Sequence, residues 1–300
     1  MRYNRGVADG TGGAARDDGL LATTWWTAVC IVPVLVAAWA ILFLFPGRTA
    51  SLWAWTIKPD MSALVMGGGY LSGAYFFVRV ARGGRWHRVA VGFLATTVFT
   101  AILLAATFLH WDRFNHSHVS FWAWFALYLV TPPLLPLLWW KNQRTDPGGP
   151  EPGDVRVPAG VRRVVVLGGV AQLALAAAMF VDPGWAAGWF PWTVTPLTVR
   201  SISAFVAFPA VTWACFAFED RWSAFRIPLQ TATLGLALVG IGALRSGDDF
   251  VGPDWAVRAF TAALVASLVL LCALQLAMDR RRAGAAAGEG PARPPIPTGG

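Results

Sequence analysis

Eight long apolar segments constrain this sequence more than any other feature. They are separated by charged or turn-forming residues. Even the shortest of them would form a helix about 27 Å long, close to the thickness of a bilayer's hydrocarbon core. Their apolar runs are continuous, whereas membrane strands alternate in polarity. We therefore predict an all-α integral membrane protein with eight transmembrane helices, over residues 23–45, 61–78, 89–109, 119–140, 164–181, 201–218, 227–244 and 259–278.

Four of these segments (the second, fifth, sixth and seventh) are only just long enough to cross the membrane. For each of them, the alternative to a transmembrane helix is a re-entrant or tilted element. Composition supports the membrane environment as a whole. Apolar residues make up 56% of the chain, charged residues 13%, and the mean hydropathy is +0.53. A soluble fold of 300 residues cannot bury this much apolar surface, so we expect the lipid bilayer to be the main partner.

The two halves of the sequence resemble each other. Residues 46–59 (PGRTASLWAWTIKP) and 183–196 (PGWAAGWFPWTVTP) align without a gap. With the register shifted by one position, the Arg-Trp pair at 85–86 matches that at 221–222, and Asp-x-Phe at 112–114 matches 248–250. Since each half has four crossings, both copies begin on the same side of the membrane. We therefore predict two parallel four-helix repeats.

The repeats fix the expected domain boundaries. A disordered N-terminus over residues 1–22 precedes the first repeat, residues 23–140. A Pro- and Gly-rich linker, residues 141–161, leads to the second repeat, residues 162–278, and to a disordered tail, residues 279–300.

The basic residues predict the orientation. Of 24 lysines and arginines, 18 fall on the side that carries both termini and the linker, so the positive-inside rule puts these in the cytoplasm. This orientation accounts for the net charge of +8 without a nucleic-acid partner. Arginine outnumbers lysine 22 to 2, which is typical of a high-GC bacterial genome, so we predict the bacterial plasma membrane.

A W-T-x-x-P motif occurs once in each half, immediately before the second helix. Proline suits the first helical turn, and tryptophan suits the lipid headgroup layer. We interpret the motif as an interfacial anchor and helix start, with a ligand site as the alternative. Its residues are Trp55, Thr56 and Pro59 in the first half and Trp192, Thr193 and Pro196 in the second.

A histidine-rich loop follows the third helix on the external side. His110, Asp112, His116 and His118 supply nitrogen and oxygen donors that zinc or copper accepts. The spacing is not a defined signature, so a polar interfacial loop is the alternative. A metal site here would make the protein a metal-dependent or redox membrane enzyme.

Other catalytic signatures are absent from the sequence, which contains no G-x-S-x-G, H-E-x-x-H or Walker motif. The eight predicted spans also contain no Asp, Glu, Lys, Arg or His, which argues against ion coupling by side-chain titration. We therefore predict a non-enzymatic, permease-like or partner-binding membrane subunit that associates with other membrane subunits, with the external-loop enzyme as the alternative.

Overall fold

A computed structural model describes residues 18–288, and all of the regular elements in that range are helical. We number the long helices in chain order. They are α1 (Ala22–Trp39, continued by a π-helical turn, Ala40–Leu44), α2 (Asp60–Ala81), α3 (His87–Leu109), α4 (Val119–Gln143), α5 (Ala159–Val181), α6 (Pro196–Ala214), α7 (Trp222–Arg245) and α8 (Asp254–Gly288).

All eight helices are long and apolar enough to cross a membrane, which confirms the all-α prediction and the number of span-length helices. The four shortest predicted segments are longer in the structure, at 22 to 24 residues when the 3-10 turn that continues α6 to Ala217 is counted. They lengthen because each helix continues past its apolar run into polar residues. These features fit a polytopic membrane protein.

Four central helices form the middle of the bundle. Helix α2 packs against α7 and α6, and α3 packs against α6 and α7. Each outer helix packs mainly on one central helix: α1 on α2, α4 on α3, α5 on α6, and α8 on α7.

Glycine makes room at two of these helix contacts. A Cβ atom added at Gly69 of α2 would lie 2.2 Å from the Phe205 ring of α6. One added at Gly242 of α7 would lie 3.0 Å from Leu64 of α2. Small residues at such positions let helix backbones approach closely, as is common between helices in lipid.

The two ends of the bundle differ in composition. One end, here called the linker end, carries residues 82–86, 144–158 and 218–221. Residues 144–158 contain no helix but lie against the bundle, and Asp146 and Glu151 are buried there. The opposite end carries residues 45–59, 110–118, 182–195 and 246–253.

The predicted disordered termini fall mostly outside the described residues. At the described margins, Asp18 is buried, and α8 continues past Met278 to Gly288. The extension has two physical reasons. Its alanine-rich sequence favours a helix, and its Arg282 binds Glu151 at 2.6 Å.

Candidate functional site

The linker end holds a buried polar network centred on the first residues of α3 and α7. His87 is the first residue of α3, and Ser223 is the second residue of α7. The His87 Nε2 atom lies 2.9 Å from the Ser223 hydroxyl oxygen, and each residue is 2% exposed. This contact joins one half of the sequence directly to the other.

Each of these two residues is also held by an aspartate, in the same way. Asp18 accepts a hydrogen bond from the His87 backbone N–H (3.2 Å) and contacts its Nδ1 atom at 2.5 Å. Asp154 accepts hydrogen bonds from the Ser223 backbone N–H (3.1 Å) and from its hydroxyl (2.5 Å). In both cases, 69 residues separate the aspartate from its partner.

Three contacts link Asp18, His87, Ser223 and Asp154 in series. This series crosses from one half of the sequence to the other, and we call it the joint between the halves.

Glu151 lies beside this joint, with a side chain that is 2% exposed and 3.8 Å from His87 Nε2. Arg88 binds one carboxylate oxygen at 2.6 Å, and Arg282 binds the other at 2.6 Å. Burial alone would raise the pKa of Glu151. The hydrogen bond from Arg88 and the positive charges of Arg88 and Arg282 outweigh it and lower the pKa.

A second buried ion pair lies next to the first. Arg221 is 6% exposed and donates to both carboxylate oxygens of Asp146, at 2.9 and 2.7 Å, and to Glu219 at 2.6 Å. Burial would raise the pKa of Asp146, but hydrogen bonds from Arg221 and from the Gly148 N–H lower it overall. Burial would lower the pKa of Arg221, but its two carboxylate partners raise it. Both groups are therefore held in their charged forms.

The network resembles two kinds of reactive site without having the geometry of either. The ligand atoms of His87, Glu151 and Asp154 lie within 4.8 Å of one another, a spacing that a metal ion could draw together. However, guanidinium groups occupy both oxygens of Glu151, and they repel a cation. Asp18, His87 and Ser223 follow the order of a nucleophilic triad, but the serine hydroxyl donates to Asp154 and is buried.

The four residues of the external metal prediction lie in the loop before α4. His110 Nε2 lies 2.8 Å from a guanidinium nitrogen of Arg200 on α6. Partial burial lowers the pKa of His110, and the charge of Arg200 lowers it further. A guanidinium within hydrogen-bond distance competes with a metal ion for the same nitrogen.

The other three predicted ligands have separate surroundings. Asp112 is exposed and pairs with Arg113 at 3.3 Å, whereas the His116 ring centre lies 4.6 Å from the Phe121 ring centre. The backbone N–H of His118 donates to Asn115 and precedes the first turn of α4. Among the described residues, the group whose ligand atoms converge does not include this loop. Zinc or copper binding by the loop stays a prediction.

The tryptophans of the two W-T-x-x-P motifs make different contacts. The ring centre of Trp55 lies 5.1 Å from that of Phe114 and 4.9 Å from that of Trp124, all in the first half. Trp192 instead donates from its indole N–H to the Ser62 hydroxyl at 2.8 Å, across to the first half. Both tryptophans are buried.

The prolines of these motifs lie at helix starts, as the sequence suggests. Pro59 immediately precedes α2, and Pro196 is the first residue of α6. Thr56 and Thr193 are exposed. Because the tryptophan contacts differ between the halves, the motifs do not form matching surfaces, and a ligand site at either one stays a prediction.

A large apolar cavity lies deeper in the bundle. Its volume is about 780 Å³, and all eight long helices contribute to its lining. Most of its surface is apolar. Two buried tyrosines, Tyr70 and Tyr128, line it and are joined by a hydroxyl–hydroxyl hydrogen bond of 2.8 Å. The remaining polar lining residues are Ser72, Thr96, Thr100, Thr131, Gln172, Thr231, Trp213 and Ser267.

Sequence reasoning missed the polar network entirely. Three of its carboxylates (Asp146, Glu151 and Asp154) lie in the segment interpreted only as a linker, and Asp18 lies in a segment predicted to be disordered. One signal was present in the sequence. His87 and Ser223 each directly follow the matched Arg-Trp pairs, so the two residues occupy equivalent positions.

Comparison of the chain with protein families, curated proteins and solved structures finds no match. The function proposed below therefore depends on the geometry alone.

Proposed function

We propose that this chain is a polytopic, multi-pass plasma-membrane protein that binds an apolar lipid chain, as a non-enzymatic, permease-like or partner-binding subunit. The observation that carries the proposal is the apolar cavity. Its volume of about 780 Å³ lies within the usual range of small-molecule sites. Span-length helices enclose it, so in a bilayer it lies at the depth of the acyl chains.

The side of the cavity between α5 and α8 favours a ligand that enters from lipid. Val164 and Val165 of α5 and Leu270 and Leu271 of α8 line it. The main contact of α5 is with α6 and that of α8 is with α7, so these two outer helices are not packed tightly together. A molecule with an apolar chain can pass such a wall without crossing water.

We further propose that the architecture consists of two parallel four-helix repeats. The helix contacts support this proposal, since exchanging the halves converts each major contact into another (α1–α2 into α5–α6, and α2–α7 into α6–α3). The indole N–H groups also support it. Trp86 donates to Gln143 and Trp222 donates to Asp279, and each pair is separated by 57 residues.

The proposed orientation in the membrane rests on the distribution of basic residues, as it does in the sequence analysis. We propose that the linker end and both termini face the cytoplasm of a bacterial cell, because this end carries most of the basic residues.

Cysteine substitution tests this orientation in a variant without native cysteines. A cysteine at Ser117, which is exposed, should react with a membrane-impermeant thiol reagent in intact cells. A cysteine at Gly149, where a Cβ meets nothing within 4 Å, should react only after lysis. The reverse pattern would contradict the orientation.

Chain binding is tested by filling the cavity. Gly168 of α5 lines the cavity, and a Cβ there meets nothing within 4 Å, so Gly168→Leu places a larger side chain at the cavity wall. Gly160 of the same helix is equally free of neighbours but does not line the cavity, so Gly160→Leu is a matched control.

The probe is a diazirine-bearing palmitate, photo-crosslinked to the full chain in nanodiscs. We expect saturable labelling of residues that line the cavity in the wild type and in Gly160→Leu, and several-fold weaker labelling in Gly168→Leu. Equal labelling of all three proteins would contradict chain binding in this cavity. Protection of α5 and α8 by a co-purifying membrane protein would instead favour a partner helix as the occupant.

A further inference from the structure

A second, smaller pocket lies at the linker end and is lined by four arginines. Its volume is about 190 Å³. Arg79, Arg82, Arg85 and Arg88 line it, and they recur at every third position from the last turn of α2 to the first turn of α3. So high a density of guanidinium groups around one small volume calls for a counter-charge.

The carboxylates nearby do not balance these arginines. Arg88 and Arg85 both contact Glu151, at 2.6 and 3.7 Å, and the same carboxylate also binds Arg282. One negative charge is thus shared among three guanidinium groups. A net positive charge remains on this side of the pocket.

The other two arginines contact no carboxylate within the described residues. Arg79 donates to the neutral Tyr75 hydroxyl (2.7 Å) and to the Gln230 side-chain oxygen (2.8 Å). The side chain of Arg82 is exposed and makes no hydrogen bond or ion pair in the described part of the chain. Repulsion among like charges at this spacing is relieved when an anion binds between them.

The loop between α2 and α3 leaves room for such an anion. Gly83 and Gly84 line the pocket and have φ angles of +77° and +137°, which strain any residue with a side chain. A Cβ at either position would meet nothing within 4 Å. The pocket is therefore open beside the arginines and reachable from the surface.

The pocket and the apolar cavity lie along the same two helices. On α2, Phe76 and Phe77 line the cavity, and Arg79 lines the pocket less than one turn further on. On α7, Thr231 lines the cavity, and Ile227 lines the pocket one turn away. A positively charged pocket that adjoins an apolar cavity at the membrane surface matches an amphiphile with an anionic head and an apolar tail.

We propose that the arginine pocket binds the phosphate of an anionic phospholipid head group, whose acyl chain extends along α2 and α7 toward the apolar cavity. This inference deepens the proposed function and rests on it for the membrane location. Free inorganic phosphate has the same chemistry as the head group, so the experiment must separate the two sources.

The test measures lipid binding to the full chain in detergent by native mass spectrometry, with phosphatidylglycerol, phosphatidylcholine and inorganic phosphate as separate probes. The variant is Arg82→Gln, because the Arg82 side chain has no structural partner in the described residues whose loss would unfold the protein. Arg163→Gln is the matched control, since Arg163 is an exposed arginine of α5 that does not line the pocket.

We expect Arg82→Gln to bind phosphatidylglycerol about fivefold more weakly, since one basic residue at a membrane surface contributes roughly 1 kcal/mol. Arg163→Gln should match the wild type, and phosphatidylcholine binding should be the same in all three proteins. The Arg82→Gln defect should shrink at high salt. Equal phosphatidylglycerol binding by both variants would overturn the proposal. Phosphate that binds as tightly as phosphatidylglycerol would overturn the assignment to a lipid.

The two proposals fail in different ways. If the palmitate probe labels the cavity but Arg82→Gln has no effect, the chain site stands and the head-group site does not. If the head-group preference depends on Arg82 but Gly168→Leu leaves palmitate labelling unchanged, the pocket binds a head group whose tail lies outside the cavity.

Discussion

The two halves of the molecule bury their outer helices to different extents. A third of the most apolar stretch of α4 is buried, whereas none of the corresponding stretch of α8 is. In the first half, Asn142 of α4 accepts a hydrogen bond from the Leu21 N–H (3.0 Å) and donates to the Thr24 hydroxyl (2.6 Å) at the start of α1. The position that matches Asn142 in the second half is Met278, which packs in an apolar cluster and makes no such tie. The outer helices of the first half, α1 and α4, are thus joined to each other by polar contacts, whereas α8 of the second half makes its polar contacts with α7 and Glu151.

This difference supports the proposed entry of a ligand between α5 and α8. The linker end, by contrast, is built alike in both halves, with an aspartate bonded to the residue that follows each Arg-Trp pair. We therefore expect the joint between the halves to be more stable than the outer helices of the second half.

The largest effect should come from breaking the buried ion pair of Arg221, which lies next to the joint. Asp146→Ala removes a bidentate partner of the buried Arg221 and leaves its charge poorly compensated. Removing one partner of a buried ion pair typically costs about 3–5 kcal/mol. Denaturant unfolding of the purified protein should show a loss of this size, with both halves unfolding together.

Asp112→Ala is the control, since Asp112 forms an exposed pair with Arg113 at the opposite end. Exposed pairs contribute about 0–1 kcal/mol, so its stability should stay near that of the wild type. If Asp146→Ala were as stable as this control, the ion pair of Arg221 would not stabilise the linker end.

The sequence predicted the helices well because each one carries a continuous apolar run. It did not predict the polar network, because Asp18, His87, Asp154 and Ser223 come from four separate segments. Glu151 illustrates the reason. The Pro- and Gly-rich stretch around it correctly indicates that no helix forms, but composition does not reveal that this carboxylate packs against Arg88 and Arg282.

A smaller effect should test how the outer helices are held in each half. Asn142→Leu leaves the Leu21 N–H and the Thr24 hydroxyl without their partner, at a cost of about 2–3 kcal/mol. Met278→Leu, at the matching position of the second half, conserves volume and should cost less than about 1.5 kcal/mol. Equal losses of stability in the two variants would mean that the polar contacts of Asn142 do not hold α1 and α4 together. Hydrogen exchange should also rise at the start of α1 in Asn142→Leu alone.

The smallest predicted effect is the dependence of stability on acidic pH. In the folded protein the pKa values of Asp146 and Glu151 are lowered, from ordinary values of 3.8 and 4.5, because guanidinium partners outweigh burial. A carboxylate with a lowered folded-state pKa stabilises the protein above its ordinary pKa, and this stabilisation is lost as the pH falls through the folded-state value. The melting temperature should therefore be nearly flat from pH 7 to pH 5 and fall below about pH 4.5. Glu151→Gln should lower the melting temperature at pH 7 and flatten its decline in acid, because a neutral amide binds no proton there. An equally steep acid decline in Glu151→Gln would show that Glu151 does not control it.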